Sequence, residues 1–295
     1  EFLTNSTNTN KFNHKEIYEA FDLCISCKGC ASECPSNVDV SLLKAEFLHQ
    51  YYKNNKIPFR TKLFAYNAIY NKLGSVAPLL TNFLLEKTFV KRAMGIAQKR
   101  KLPKLGSETL FQYYKKHKNI LHQKKETHGK VYVFCDEFTN YFDVSTGIAT
   151  LKLLSKLGFN PIIVSHKESG RSAISKGLLP FAKEKANKNI EIFKDLITTE
   201  TPLIGIEPSA ILSFRDEYKR LADDKESVNK IAKNTFTIEE FLKTCIEKNI
   251  LTADLFTSEK KTVKIHGHCH QKALSSTEPT FAILNLPKNY HVTIL

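Results

Sequence analysis

What the chain lacks narrows it first. No apolar stretch approaches the roughly 18 uncharged residues of a membrane span; the best, VAPLLTNFLL, is interrupted by Pro78 and stops at Glu86. No secretory signal is legible in these residues, and the cysteines are not spread as a disulfide framework requires. Seven are present, an odd number, and four of them crowd between residues 24 and 34. A reducing, cytoplasmic setting is therefore expected. Neither G-x-G-x-x-G nor a P-loop occurs, so no nucleotide or flavin site is legible in these residues; Ser169-Gly170-Arg171-Ser172 hints at no more than an anion-binding turn. Acidic residues are the minority, 30 against 44 Lys and Arg, for a net charge of +14. Such an excess suits an anionic partner, whether nucleic acid, a lipid surface or an acidic redox protein. The basic residues are dispersed, apart from Lys115–Lys118 and Lys124–Lys125. That favours solvated faces over a nucleic-acid footprint, which would cluster on one side.

What is there is enough chain, 295 residues at 42% hydrophobic and 25% charged, for two ordinary domains. It opens on Glu1 rather than Met and closes on the apolar YHVTIL, so a fragment of a longer protein is expected. Residues 1–13 read as a polar linker or frayed end. Residues 14–117 read as an all-helical domain around a cysteine loop. Asp39 caps an apolar stripe at Leu42, Leu43, Phe47 and Tyr51, a second helix after Pro58 runs to Gly74, and further helices fill 79–95 and 107–117. Residues 118–130 read as a basic linker, and 131–295 as an α/β domain. Its strands are VYVFC (131–135), NPIIVS (160–165), PLIGIEP (202–208), TVKIHGH (262–268) and YHVTIL (290–295), alternating with helices such as 145–158, which Gly158 ends. The stretches from Val131 and from Val263 both run strand, loop, helix, strand, a faint internal repeat of two βαβ units. The fold class is α+β overall.

The chemistry lies in Cys24-x2-Cys27-x2-Cys30-x3-Cys34-Pro35. A cubane cluster needs one thiolate at each of four irons, and steps of three residues wrap a tight loop that offers three sulfurs to one side of the cube. Gly29 leaves the backbone free to approach, and loop N–H groups can donate to sulfur and tune the potential. Zinc and inert buried cysteines are the alternatives. Structural zinc takes two pairs across a longer loop, which sets the spacing and the trailing proline in favour of iron and sulfide. In two-cluster proteins the fourth cysteine serves the other cluster, so Cys34 ligates either this cluster or a second one. The second feature is His266-Gly267-His268-Cys269-His270 at the end of an expected strand. On an extended chain its histidines share one face and Cys269 points to the other, which makes His268 and Cys269 candidate metal ligands, with a plain polar loop as the alternative. Cys135 at a strand end is read as a ligand or a buried small hydrophobe, and Cys245 on an amphipathic helix as structural.

EAFDLCISCKGCASECPSNVDVSLLKAEFLHQYY resembles the ferredoxin-like part of FAD-linked D-2-hydroxy-acid dehydrogenases, the D-lactate and D-2-hydroxyglutarate class. It is more distantly similar to the glycolate oxidase iron–sulfur subunit and to heterodisulfide reductase subunits. The resemblance continues through SGRSAISKGLL, GIEPSAILSFRDEY and HGHCHQKAL, which look like the cysteine-rich CCG domain. It implies that Cys24, Cys27, Cys30 and Cys34 bind a [4Fe–4S] cluster, that a second cluster and FAD belong to the longer protein, and that Cys269 and Cys135 match the CCG repeats. Ser165-His166-Lys167-Glu168-Ser169-Gly170 departs from the first repeat, where Cys-Cys-Gly would stand. The activity implied is oxidation of a 2-hydroxy acid at a flavin, with electrons passed to a quinone or a redox protein. A peripheral contact with the inner face of the membrane goes with that acceptor. The rival expectations are a free-standing subunit of the heterodisulfide reductase or glycolate oxidase kind, and a non-enzymatic metal-binding scaffold or redox sensor.

Overall fold

The protein is described from a computed structural model, which covers residues 4–122 and 128–295; residues 1–3 of the expected polar end and 123–127 of the expected linker lie outside the described residues. The amino-terminal part is helical: α1 (Lys15–Asp22), α2 (Gly29–Glu33), α3 (Val40–Tyr51), α4 (Phe59–Ala65), α5 (Asn67–Gly74), α6 (Pro78–Glu86), α7 (Thr88–Ala93) and α8 (Leu110–Leu121). Asp39 caps α3 as its position implies, its side chain accepting from the Leu42 N–H at 3.0 Å. Of the expected stripe Phe47 is buried and Tyr51 half-buried, whereas Leu42 and Leu43 are exposed. The helix also buries Ser41, Lys44, Ala45 and Leu48. Their three-to-four spacing is that of one helix face, and the face was chosen by the neighbour: small Ala45 lets α3 approach the α/β part. The single helices expected over 59–73 and 79–95 are each broken in two, at Tyr66 and at Lys87, where the backbone leaves helical geometry.

The remainder alternates: β1 (Lys130–Phe134), α9 (Glu137–Tyr141), α10 (Val144–Lys156), β2 (Asn160–Ile162), α11 (Arg171–Ser175), α12 (Leu179–Phe193) and β3 (Leu203–Gly205) come first. Then follow α13 (Pro208–Ile211), α14 (Glu217–Leu221), α15 (Lys225–Lys233), β4 (Thr235–Thr237), α16 (Ile238–Glu247), β5 (Lys261–Ile265), α17 (Cys269–Leu274), α18 (Glu278–Leu284) and β6 (Tyr290–Ile294). The strands divide between two parallel sheets, one ordered β2-β1-β3-β4 and one pairing β5 with β6. Tyr132 in β1 lies opposite both Ile162 and Leu203, which fixes the central register. Both expected βαβ units are present, β1–α10–β2 and β5–α17–α18–β6; the short strand β4 is an addition to the expected set.

Hydrophobic layers cover both faces of the larger sheet. On one side Val131 and Val133 meet Leu151 and Leu154 of α10, Leu242 of α16 and Leu110 of α8. On the other, Phe134 packs among Phe193, Phe214 and Ile190. Each such side chain, fully withdrawn from water, contributes about 1.5–3 kcal/mol. A smaller cluster of Ala45, Ala65, Ala173, Ile174, Leu178 and Ala182 joins α3 and α4 to α11 and α12. There the backbone of Gly177 (φ +73°) runs so close to α3 that a Cβ would sit 2.3 Å from Leu48 Cβ.

Candidate functional site

Four cysteines line the bend between α1 and α3. Cys24 follows the end of α1, Cys30 lies in the single turn of α2, and Cys34 ends it with extended backbone. Between them Ser26 (φ 57°) and Lys28 (φ 64°) adopt left-handed conformations that few non-glycine residues tolerate. These two reversals allow so tight a loop. The Ser26 N–H donates to Cys24 Sγ at 3.4 Å and the Val40 N–H to Cys30 Sγ at 3.2 Å. The backbone N–H groups of Val38, Ser36 and Asn37 hold the Cys34 thiol below its usual range. Gly29 is not sterically required, since a Cβ there would be in ordinary contact with Cys27 Sγ at 3.6 Å.

The loop is held by buried charge. Lys28 is 2% exposed, and its ammonium lies 2.9 Å from Asp39, 2.6 Å from Asp216 and 3.1 Å from Glu217. Burial alone would lower its pKa, but the carboxylates of Glu217, Asp216 and Asp39 outweigh that and raise it. Asp39 feels the same burial in the opposite sense, yet hydrogen bonds from Ser41, Lys28 and Leu42 bring it down to about 2. Arg171, at the start of α11, pairs with Glu217 and donates through Nη2 to the Ser26 carbonyl at 3.2 Å. Lys44 of α3 donates to the Cys24 carbonyl. Three cations thus fix the loop backbone. The expected anion-binding turn at Ser169–Ser172 is corrected by this arrangement, because its arginine is already engaged by Glu217. Nothing local in the sequence signals the pairing of Lys28 with Glu217; the only hint was a lysine enclosed by the cysteine spacing.

The second motif departs from its expected geometry. Strand β5 ends at Ile265, so His266, Gly267 and His268 form a turn and Cys269 opens α17. The alternation of an extended chain does not apply: His266, His268 and Cys269 are exposed and His270 is buried. His268 caps α17, its Nδ1 accepting from the His270 N–H at 3.2 Å, and its Nε2 lies 3.5 Å from Glu207. Helix α17 packs against α2, which brings this turn to the cysteine loop. Burial and the nearby Arg171 hold His270 neutral, with its pKa down to about 3.

The donor set of the loop fits an iron–sulfur group in its chemistry. All four cysteines are unpaired thiols, and two already accept N–H bonds at sulfur. Two buried polar atoms beside them, Ser26 Oγ and His270 Nε2, have no hydrogen-bond partner among the described residues. Among the described residues no three His, Cys, Asp or Glu side chains are gathered closely enough to hold a metal ion. This holds for Cys24, Cys27, Cys30 and Cys34 and for His268 with Cys269.

At the carboxyl ends of β1 and β2, Cys135, Glu137 and His166 line a cavity of about 410 Å³. The Cys135 N–H donates to His166 Nε2 at 3.0 Å, and burial pushes the Cys135 thiol well up. Glu137 accepts from Ser169 N–H and Oγ at 2.8 and 2.7 Å, and Asp136 caps α9. The stretch that departs from Cys-Cys-Gly therefore serves to hold a carboxylate. Cys245 is buried in α16, packed in the core as expected.

Comparison with known proteins gives a consistent set of names. No protein-family model matches the chain, and no solved structure matches it. The chain is similar to D-2-hydroxyglutarate dehydrogenase of Escherichia coli (strain K12), 28% identical over 282 residues, covering 90% of this chain and 26% of that protein. The enzyme of the same name from Haemophilus influenzae is 28% identical over 299 residues, 95% of this chain and 27% of its own length. That of Pantoea ananatis is 30% identical over 222 residues, 71% of this chain and 21% of its own. The chain spans about a quarter of the length of the curated relatives it matches.

Proposed function

We propose that this chain is the electron-transfer portion of an FAD-linked oxidoreductase acting on D-2-hydroxyglutarate or a related 2-hydroxy acid. In this reading Cys24, Cys27, Cys30 and Cys34 are thiolate ligands of [4Fe–4S] clusters, and the helical and α/β parts are separate domains. The observation that carries it is the cysteine run with its trailing proline, set in a chain whose relatives are named D-2-hydroxyglutarate dehydrogenase. When bound, such a cluster accepts electrons singly from a reduced flavin, which holds two, and passes them to a quinone or a redox protein.

The chain's own residues have definable parts in this. The N–H groups of Ser26 and Val40 donate to sulfur, which favours the thiolate form and tunes the potential. Lys28, Arg171 and Lys44 hold the backbone of the bend from three directions. Packing of α17 on α2 shields one side of the loop from water. In this reading His268 and Cys269 are candidate ligands of a separate metal at the carboxyl end of β5, which would require His268 to give up its contact with Glu207.

The test uses the full-length protein purified without oxygen. Iron and acid-labile sulfide should be present in equal amounts, and D-2-hydroxyglutarate should bleach the brown absorbance. A Cys27→Ser variant should lose iron. Zinc in place of iron, or colour that dithionite bleaches and no 2-hydroxy acid does, would overturn the proposal.

A further inference from the structure

Residues 59–104 are built inside out for a chain surrounded by water. Ten basic residues stand against a single acid, Glu86, so this stretch carries +9 of the chain's +14, and of the ten only Lys91 is buried. The same stretch exposes Leu73, Val76, Leu79, Leu80, Phe83 and Phe89, with Val76 and Leu79 85% and 83% exposed. No residue of α5 or α6 is fully buried. Helix α6 is attached to the body by its polar side chains instead. Asn82 donates to the Leu105 carbonyl at 2.9 Å and accepts the Leu105 N–H at 2.8 Å, while Thr81 Oγ donates to the Gly74 carbonyl at 2.9 Å. The apolar side of α6 is thereby turned outward. Lys87 lies 3.8 Å over the ring of Phe83, at the border between the apolar and the cationic surface.

We infer that this face docks on an anionic lipid bilayer surface. Leu79, Leu80 and Phe83 enter the boundary between headgroups and acyl chains, and the surrounding lysines and arginines meet the lipid phosphates. The chemistry separates this occupant from a protein. Protein interfaces are depleted in Lys and enriched in Arg, Trp and Tyr, whereas this stretch has seven Lys to three Arg and the chain has no Trp. An unbalanced field of single-sign charge around aliphatic side chains suits a surface of mobile phosphates better than a fixed pattern of partners. No described helix is long and apolar enough to cross a membrane, so the contact is one of lying on the surface. The inference stands apart from the redox reading, since it needs no cluster.

The experiment is co-sedimentation of the full-length protein with vesicles of phosphatidylcholine alone or mixed with phosphatidylglycerol. The protein should partition onto the anionic vesicles, and about tenfold less onto phosphatidylcholine or at molar salt. A Leu79→Glu/Phe83→Glu variant and a Lys99→Glu/Arg100→Glu/Lys101→Glu variant should each lose about tenfold or more in partitioning. All five side chains are exposed, and circular dichroism checks that the fold is kept. Absence of binding to anionic vesicles overturns the inference, as does binding that the Leu79/Phe83 variant leaves intact. A Leu79→Cys residue shielded from maleimide in the vesicle-free protein would overturn it too, because protein would then already cover the face.

Discussion

Glu137 is buried at the edge of the cavity, where Ser169 donates to its carboxylate from both N–H and Oγ. Burial nevertheless raises its pKa to about 7, and burial with the neighbouring charges of Glu137 and Glu207 raises that of Asp136 to about 8. The folded state thus keeps protons that unfolded carboxyls release near their ordinary values. The stability these two contribute is complete below pH 4 and is lost as pH rises through about 7 to 8. Asp39 works in the opposite direction: held down to about 2, its contribution is lost only as pH falls below its ordinary value of 3.8. The Glu137→Gln variant keeps an acceptor for the Ser169 N–H and removes the charge. It should flatten the decline in melting temperature between pH 5 and 8 and be the more stable protein at pH 8, by up to about 3 kcal/mol. A decline identical to that of the parent would place the titration elsewhere. What could be read at this scale was local. The cysteine run and the Asp39 cap depend on neighbours within four residues, and both are where the sequence places them. Ser26 and Lys28 gave no sign of left-handed backbone, because neither residue type prefers it.

Among the elements, Gly177 sets how closely the helical part can approach the sheet. Its positive φ and its contact with Leu48 act together, for a methyl group would be strained in the backbone and would also push α3 away. Gly177→Ala should cost about 2–4 kcal/mol, combining the left-handed penalty with overpacking, and urea denaturation followed by circular dichroism measures it. Gly129, with positive φ but no atom of the described residues within 4 Å of an added Cβ, is the control, where Ala should cost about 1–2 kcal/mol. Strands β1, β2, β3, β5 and β6 were legible from short β-branched runs between turn residues. β4 was not, since Thr235-Phe236-Thr237 is three residues long and owes its pairing to β3 beside it. For the same reason the helix at 59–73 could be seen in the sequence while its break at Tyr66 could not. Periodicity reports a helix and leaves its outward face to the neighbours, as the exposed Leu42 and Leu43 of α3 demonstrate.

For the molecule as a whole, the cysteine loop and the α/β part are locked by two adjacent carboxylates, Asp216 and Glu217, of which Glu217 is the more deeply buried. Glu217 lies 189 positions beyond Lys28, too far for any local signal, and Arg171 reaches from a third segment to the same oxygen, Oε1. Removing Glu217 would leave both cations buried with less compensation, which is the costly way to break an ion pair. Glu217→Ala should therefore destabilise the protein by about 3–5 kcal/mol. A local effect on the loop should accompany the global one. With Lys28 left to Asp39 and Asp216, and Arg171 without the carboxylate that aims it at the Ser26 carbonyl, the loop is held more loosely; the thiols of Cys24, Cys27 and Cys30 should react faster with a disulfide reagent under native conditions, while buried Cys245 should not. Replacing the three most deeply buried members of the charge set with apolar residues of like volume, Lys28→Met with Arg171→Met and Glu217→Leu, is expected to recover much of the stability, since Asp216 keeps Arg220 and Asp39 keeps its Ser41 and Leu42 donors. It should not restore the slow thiol reaction, because the hydrogen bond from Arg171 to the Ser26 carbonyl is gone. Recovery of both together would mean that packing, rather than charge, holds the loop in its left-handed turns.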